Sequence, residues 1–315
     1  MKKLIKKSLL FSLFFIIFFA ICFPFWTILL PKRLSPNIKF KKGAYGHMHS
    51  RLKEFKKTDS LDILFLGSSH SYRGFDTRIY KNNGIKSFNL GSSSQTPSQT
   101  ITLLKRYLDK NIPKLIIYEV YPPTLSSDGV ESSLDLISND RNDIHTYSMA
   151  FNINNIKTWN TLLYASYRDL FKLDNSFNEQ INKGDDTYVK GGFVEKEVRY
   201  YSPQNFNKKK YNINQKQLNK FEDIVSMIKN RGVKLILVYA PIPKTNYLSY
   251  TNNIYFDSLM TSYSEYHNFN KIMKLNDSLH FYDSHHLNQT GVTIFNNKLI
   301  EILWKNQNSK KVNIY

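Results

Sequence analysis

Three side chains in this sequence can together turn a hydroxyl group into a nucleophile. A serine hydroxyl attacks a carbonyl only when a base takes its proton. An imidazole does so best when a carboxylate fixes its tautomer and stabilises the imidazolium. Ser69 follows the run Ile63-Leu64-Phe65-Leu66-Gly67-Ser68, an apolar stretch ending in small residues, which suits a hydroxyl exposed on a tight turn. Asp283 and His286 lie three apart in Asp283-Ser284-His285-His286, so they can sit side by side with the histidine reaching the serine. Gly91 lets backbone approach the reacting carbonyl and is expected to add an N–H to that of Ser69 in an oxyanion hole. His70 and Arg73, beside the nucleophile, either bind an anionic substrate group or pack. His285 is the rival base. No metal site is expected, because His285 and His286 lack the spacing for two ligands on one helix face. The one cysteine, Cys22, excludes an intrachain disulfide and a cysteine-based metal site. No cofactor is expected.

These residues need a scaffold that brings position 69 to position 286. Asp62–Leu66 reads as a buried strand stopped by Gly67, Ser87–Leu90 as a second strand, and Lys114–Tyr121 as a third, stopped by Pro122-Pro123. Val233–Tyr239 is a fourth, and His280-Phe281-Tyr282-Asp283 a short fifth. Between them run helical patterns. Thr96-Pro97 supplies a cap and first-turn proline ahead of Ile101, Leu104 and Leu108. Leu218, Phe221, Val225 and Ile228 mark a helix closed by Arg231-Gly232. A last helix begins near Asn288, with Val292, Phe295, Leu299 and Leu303 on one face. Alternating strands and helices imply a parallel sheet covered on both faces, whose sites gather at the carboxyl ends of the strands. Ser69, Gly91 and the Asp283–His286 group each come just after a strand. Residues 124–212 are looser and read as a partly helical insertion, a lid or a partner surface.

The chain has 315 residues and a formal net charge of +19. Nine of its Lys and Arg residues fall in positions 1–42, which hold no acid, leaving +10 for the other 273 residues. No basic stripe with interleaved aromatics and no nucleic-acid motif appears there, so a nucleic-acid partner is not expected. Residues 8–30 are 23 positions without a charge, enough to cross a hydrocarbon core about 30 Å thick. The run is longer than a signal-peptide core and lacks its small-residue cleavage site, which favours an uncleaved anchor. The expected layout is a tail and anchor at 1–30, a linker at 31–60, a domain at 61–306 and a polar tail at 307–315. Basic residues nearly tie across the span, but a short tail before a large domain usually stays cytoplasmic, so the domain is expected to face outward.

Three blocks resemble the SGNH, or GDSL-type, hydrolase superfamily. They are Ile63–His70 around the nucleophile, Asn89-Leu90-Gly91 for the glycine, and Asp283–Asn288 for the Asp-x-x-His motif. They cover about 60–123 and 214–304 in the family's order. The resemblance implies a three-layer α/β/α sandwich, flavodoxin-like, with Ser69 as nucleophile, His286 as base, Asp283 as its orienting acid and Gly91 as an oxyanion donor. Ser68 stands where the family has aspartate. Glu119-Val120-Tyr121-Pro122 stands where the family has an asparagine donor, leaving Tyr121, Ser93 or Gln95 as candidate replacements. Membrane-anchored relatives that acylate envelope polymers share the order of anchor, linker and domain. The expected activity is therefore that of a serine esterase or O-acyltransferase. Its substrate would be a cell-envelope polysaccharide or acylated glycan, its partner a membrane-embedded acyltransferase. The alternative is a degenerate, non-catalytic domain that binds glycan or scaffolds such a complex.

Overall fold

The predicted central strands are apolar through their middle residues because both faces of the sheet are covered. In the computed structural model, which describes residues 1–31 and 41–311, β1 (Ile63–Leu66), β2 (Ser87–Asn89) and β3 (Leu115–Glu119) join two later strands, β7 (Lys234–Tyr239) and β8 (Glu265–Asn268). Their order is β2-β1-β3-β7-β8, and every pair is parallel. A strand sends alternate side chains to opposite faces. Leu64, Leu66, Ile116, Tyr118, Leu235 and Leu237 therefore enter one core, and Ile63, Phe65, Ile117, Ile236 and Val238 the other.

Helices α2 (Met48–Phe55), α5 (Pro97–Tyr107) and α10 (Gln215–Asn230) close the first face with Leu52, Leu104 and Ile224. Helix α5 starts at the expected Thr96 cap, a capping box with Gln99. The second face lies beneath α4 (Thr77–Asn82) and the last helix of the chain (Gln289–Lys311), through Tyr80, Phe295 and Leu299. The short α3 (Ser69–Gly74) carries the nucleophile turn off the end of β1. The result is the expected three-layer α/β/α arrangement with a parallel sheet. Ahead of it, α1 (Lys2–Leu29) is long and apolar enough to cross a membrane.

Three expectations change. The linker read at 31–60 contains α2, whose Met48, Arg51, Leu52 and Phe55 are buried; only positions 32–40 lie outside the described residues. The segment His280–Asp283 is not the fifth strand: it is a tight loop with one bridge, Phe281 to Leu287. The fifth strand is Glu265-Tyr266-His267-Asn268, a half-buried edge strand whose polar residues hide it from an apolar-run search. The final helix also runs through 307–311, where a polar tail was expected, and 312–315 lie outside the described residues.

The looser segment after β3 is helical first. It contains α6 (Pro122–Ser126), α7 (Val130–Asn139), α8 (Ile144–Ile153) and α9 (Ile156–Leu170). It then forms an antiparallel ribbon of β4 (Asn182–Lys183), β5 (Asp186–Val189) and β6 (Phe193–Lys196). The ribbon's Gly191-Gly192 turn is pressed onto the edge of the main sheet. The Asn89 amide donates to the Gly191 carbonyl at 2.8 Å, and a Cβ on Gly192 would lie 2.3 Å from the Asn89 carbonyl oxygen. Arg51, fully buried in α2, donates to the carbonyls of Gly192 at 2.9 Å and Gly46 at 2.7 Å. Helix α2 thus holds both the core and the ribbon. Truncating its fully buried Leu52 to Ala is expected to cost about 2–5 kcal/mol of unfolding free energy, read by urea denaturation. A mere linker residue would change nothing.

Candidate active site

The register of β1 on β3 decides what lies under the nucleophile. Leu66 pairs with Tyr118, so the next residue, Gly67, comes to rest on Glu119. Gly67 has φ +133, and a Cβ there would meet Glu119 atoms at 2.7 Å, so only glycine fits. The Glu119 carboxylate is 1% exposed and accepts from the Ser68 amide at 2.9 Å and the Ser68 hydroxyl at 2.8 Å. Ser68 in turn caps α3, its Oγ accepting from the His70 amide at 3.2 Å. Glu119 is thus a hydrogen-bonded carboxyl under the turn, and burial pushes it up to about 7 despite the two Ser68 bonds.

Ser69 then projects from the first position of α3 toward the loop after β8. His286 Nε2 lies 2.8 Å from Ser69 Oγ, and His286 Nδ1 lies 2.8 Å from Asp283 Oδ2. Asp283 Oδ1 accepts the backbone N–H groups of His285 at 2.9 Å and His286 at 2.7 Å, folding the four-residue loop around itself. Asn288 and Gly291 hold that loop from below. The Asn288 side chain donates to the Leu279 carbonyl at 2.8 Å, and a Cβ at Gly291 would strike the His280 carbonyl oxygen at 2.3 Å. The structure thus joins Ser69, His286 and Asp283 in one hydrogen-bonded chain. His285 is not the member that reaches the serine: its Nδ1 lies 3.1 Å from Ser284 Oγ.

The charges follow from these contacts. Burial alone would raise Asp283, but the hydrogen bond and charge of His286, with the His285 contacts, hold it well below the usual carboxylate range. Burial lowers His286 below its ordinary 6.5, and Asp283 only partly offsets that. His285 is lowered to about 4, first by burial and then by His286.

The other predicted residues take different places. The Gly91 N–H is not aimed at the reacting group: it donates to Asn89 Oδ1 at 2.9 Å. Gly91 serves by its smallness, since a Cβ would lie 2.8 Å from the Ser68 carbonyl oxygen and the Ser71 Cβ. Asn89 also takes the Ser71 hydroxyl at 3.1 Å and donates to the Ser71 carbonyl at 2.8 Å, clamping the glycine loop onto α3. His70 is buried and stacks on His286 at 4.8 Å and Tyr121 at 4.1 Å, a floor for the base rather than an anion contact. Arg73 faces the cavity with its guanidinium held bidentately by Asp186 of the ribbon, at 2.8 and 2.7 Å.

Two lobes meet at Ser69, Ser94 and His285. One, of about 430 Å³, is walled by Tyr45, Tyr72, Arg73, Lys183, Lys196 and Tyr282. The other, about 230 Å³, is walled by Tyr121, Pro123, Thr124, Ser127 and Glu131. Ser94, in both walls, has φ +49, an uncommon left-handed backbone for serine that bends the Ser92–Ser94 loop around the site. Asn89, Asp186 and Ser94 were not read from sequence. Asn89 stood inside the quoted glycine block without a role, and no local signal marked the other two.

No family model matches the chain, and no curated protein matches it. Among solved structures, the chain is similar in course to a protein assigned as an acylhydrolase from Bacteroides fragilis, at 10% identity and a TM-score of 0.41, over 85% of this chain and 99% of that one. It is also similar to a GDSL-like lipase from Bacteroides thetaiotaomicron, at 10% identity and a TM-score of 0.40, over 83% and 98%. At that identity and overlap the site stands on its own geometry.

The Glu119 carboxyl gives this geometry a pH signature. Its folded pKa, about 7, lies above its ordinary 4.5, so its contribution to stability is fully present below pH 4.5 and is lost as pH rises through 7. Glu119→Gln mimics the neutral acid and keeps an acceptor for Ser68. The variant is expected to match the wild type at pH 4.5 and to exceed it above pH 7 by about 3 kcal/mol in urea denaturation. Equal pH profiles would contradict the buried-carboxyl account.

Proposed function

We propose that this chain is a membrane-anchored serine esterase or O-acyltransferase that works on a cell-envelope glycan through an acyl-enzyme on Ser69. The observation that carries the reading is the Ser69–His286–Asp283 chain, with both contacts at 2.8 Å, within the reach a general base needs. His286 Nε2 takes the Ser69 proton as Oγ attacks the acyl carbonyl carbon, while Asp283 holds the imidazolium through Nδ1. The tetrahedral oxyanion is met by the Ser69 amide, one of the orphan donors of the first turn of α3. Further donors come from the Ser92–Ser94 loop and from Tyr121, whose hydroxyl is kept protonated by burial, which pushes it far above its ordinary value. His286 returns the proton to the departing oxygen. Water or a sugar hydroxyl then takes the acyl group from Ser69 by the same route in reverse.

The polar walls of the larger lobe, with Lys183, Asp186, Lys196 and three tyrosines, support a polyhydroxylated substrate. The long apolar α1 supports anchoring, and the short basic tail ahead of it supports a domain on the outer side. A membrane-embedded acyltransferase that supplies the acyl group fits that placement.

A fluorophosphonate probe on the full chain in detergent is expected to label the wild type and not Ser69→Ala; equal labelling of both would remove the nucleophile. Asp283→Asn, which lets the imidazole take the wrong tautomer, is expected to slow turnover of a p-nitrophenyl ester about 10⁴-fold. The base acts in its neutral form and burial lowers it. The acid limb of kcat/KM is therefore expected below pH 6.5, and a limb above that value would contradict the assignment of His286.

A further inference from the structure

Helix α9 carries apolar side chains on the side opposite the one it buries. Thr158, Thr161, Leu162, Ala165 and Arg168 form the buried face. At 100° per residue, Ile156, Leu163, Tyr167 and Leu170 line up on the opposite side, away from the core. A surface helix ordinarily carries polar groups there. Helix α8 continues the surface. Tyr147 lies 3.2 Å from Ser166 through their hydroxyls, which brings the first turns of α8 beside the last turns of α9, and Ile144, Tyr147 and Phe151 point outward at helical spacing. Phe151 is 74% exposed and Leu170 75%, and Phe171 extends the patch past the end of α9. Ile144, Phe151, Ile156, Leu170 and Phe171 are exposed while Leu163 and Tyr167 are half-buried between them, and an exposed apolar patch of this kind marks an interaction surface.

The neighbour of this face identifies its occupant. Helix α1 packs against α9. On α1, Ala20 is half-buried and Phe23 buried, three residues apart and so on one side, while the surrounding apolar residues are exposed. Phe23 lies seven residues before the end of the uncharged run, about 10 Å along the helix axis. A helix that touches α1 at that height reaches about 10 Å below the outer end of the uncharged run, the depth at which an interfacial helix lies, and its other neighbours there are lipid.

We propose that the outward face of α8 and α9 lies in the interface of the bilayer that α1 crosses. The domain is then bound by an anchor and an amphipathic hairpin together, rather than hanging from a free tether. Tyr147, Tyr167 and Phe171 supply the aromatic groups such an interface favours, and a second attachment converts marginal surface binding into a fixed pose. The proposal rests on α1 being the membrane span and is independent of the chemistry at Ser69.

The test uses the full chain with Cys22→Ser, in nanodiscs of phosphatidylcholine and phosphatidylglycerol. A polarity-sensitive fluorophore is placed by Phe151→Cys, Leu170→Cys, Phe14→Cys on α1, or Ile254→Cys, which is 78% exposed elsewhere on the domain. Blue-shifted emission and quenching by nitroxide lipids at 151 and 170, as at 14, with neither effect at 254, is the expected result. Solvent-like emission at 151 and 170 while 14 is in lipid overturns the interfacial pose and leaves the anchor standing; the patch would then await a protein partner. Solvent-like emission at 14 removes the anchor reading and the proposal with it.

Discussion

A carboxyl group with no cation beside it among the described residues lies under the turn that presents Ser69, and the site is assembled from that contact upward. The in-register pairing of β1 with β3 puts Glu119 beneath Gly67 and gives Ser68 two bonds to one oxygen. Because Glu119 fills the space below, position 67 must lack a side chain, and its left-handed backbone turns the chain sharply into α3. Ser68 faces down and caps, so its neighbour Ser69 faces up toward His286. An aspartate at 68 would bring a second carboxylate against the first, and like charges in a buried space resist joint ionisation. A serine at 68 therefore suits the acid at 119, to which it donates twice.

The two carboxyls of the site are driven in opposite directions by their surroundings. Asp283 is surrounded by donors and by imidazole, which keep it charged although it is partly enclosed. Glu119 has only Ser68, and burial holds it toward its neutral form near pH 7. One is arranged to hold a charge through a reaction, the other to hold a shape.

Sequence alone was enough for the parts governed by local chemistry. The apolar runs of β1, β3 and β7 announced buried parallel strands, Thr96-Pro97 announced a helix start, and small residues after the first strand announced an exposed hydroxyl. What it missed was set by distant partners. Edge strand β8 carries Glu265, His267 and Asn268, which a search for apolar runs passes over, because an edge needs only half its face in the core. Helix α2 has eight residues and no side-chain cap, and its burial depends on the ribbon some 140 positions later. The commitment of the Gly91 amide to Asn89, and of Arg73 to Asp186, is likewise decided by pairs that only folding brings together.

The ribbon β4–β6 is more than an insertion beside a finished domain. It is riveted to several separate parts of the scaffold: to α3 through Arg73, to α4 through Thr77 and Arg78, to α2 through Arg51 and Glu54, and to β2 through Asn89. It also forms one wall of the space above Ser69. Asp186 thus belongs both to the wall above Ser69 and to the fastening that steadies α3. Exchanging the ribbon would take that carboxylate from Arg73 and loosen the helix that carries Ser69. New preferences would have to arise at residues that face the cavity and fasten nothing.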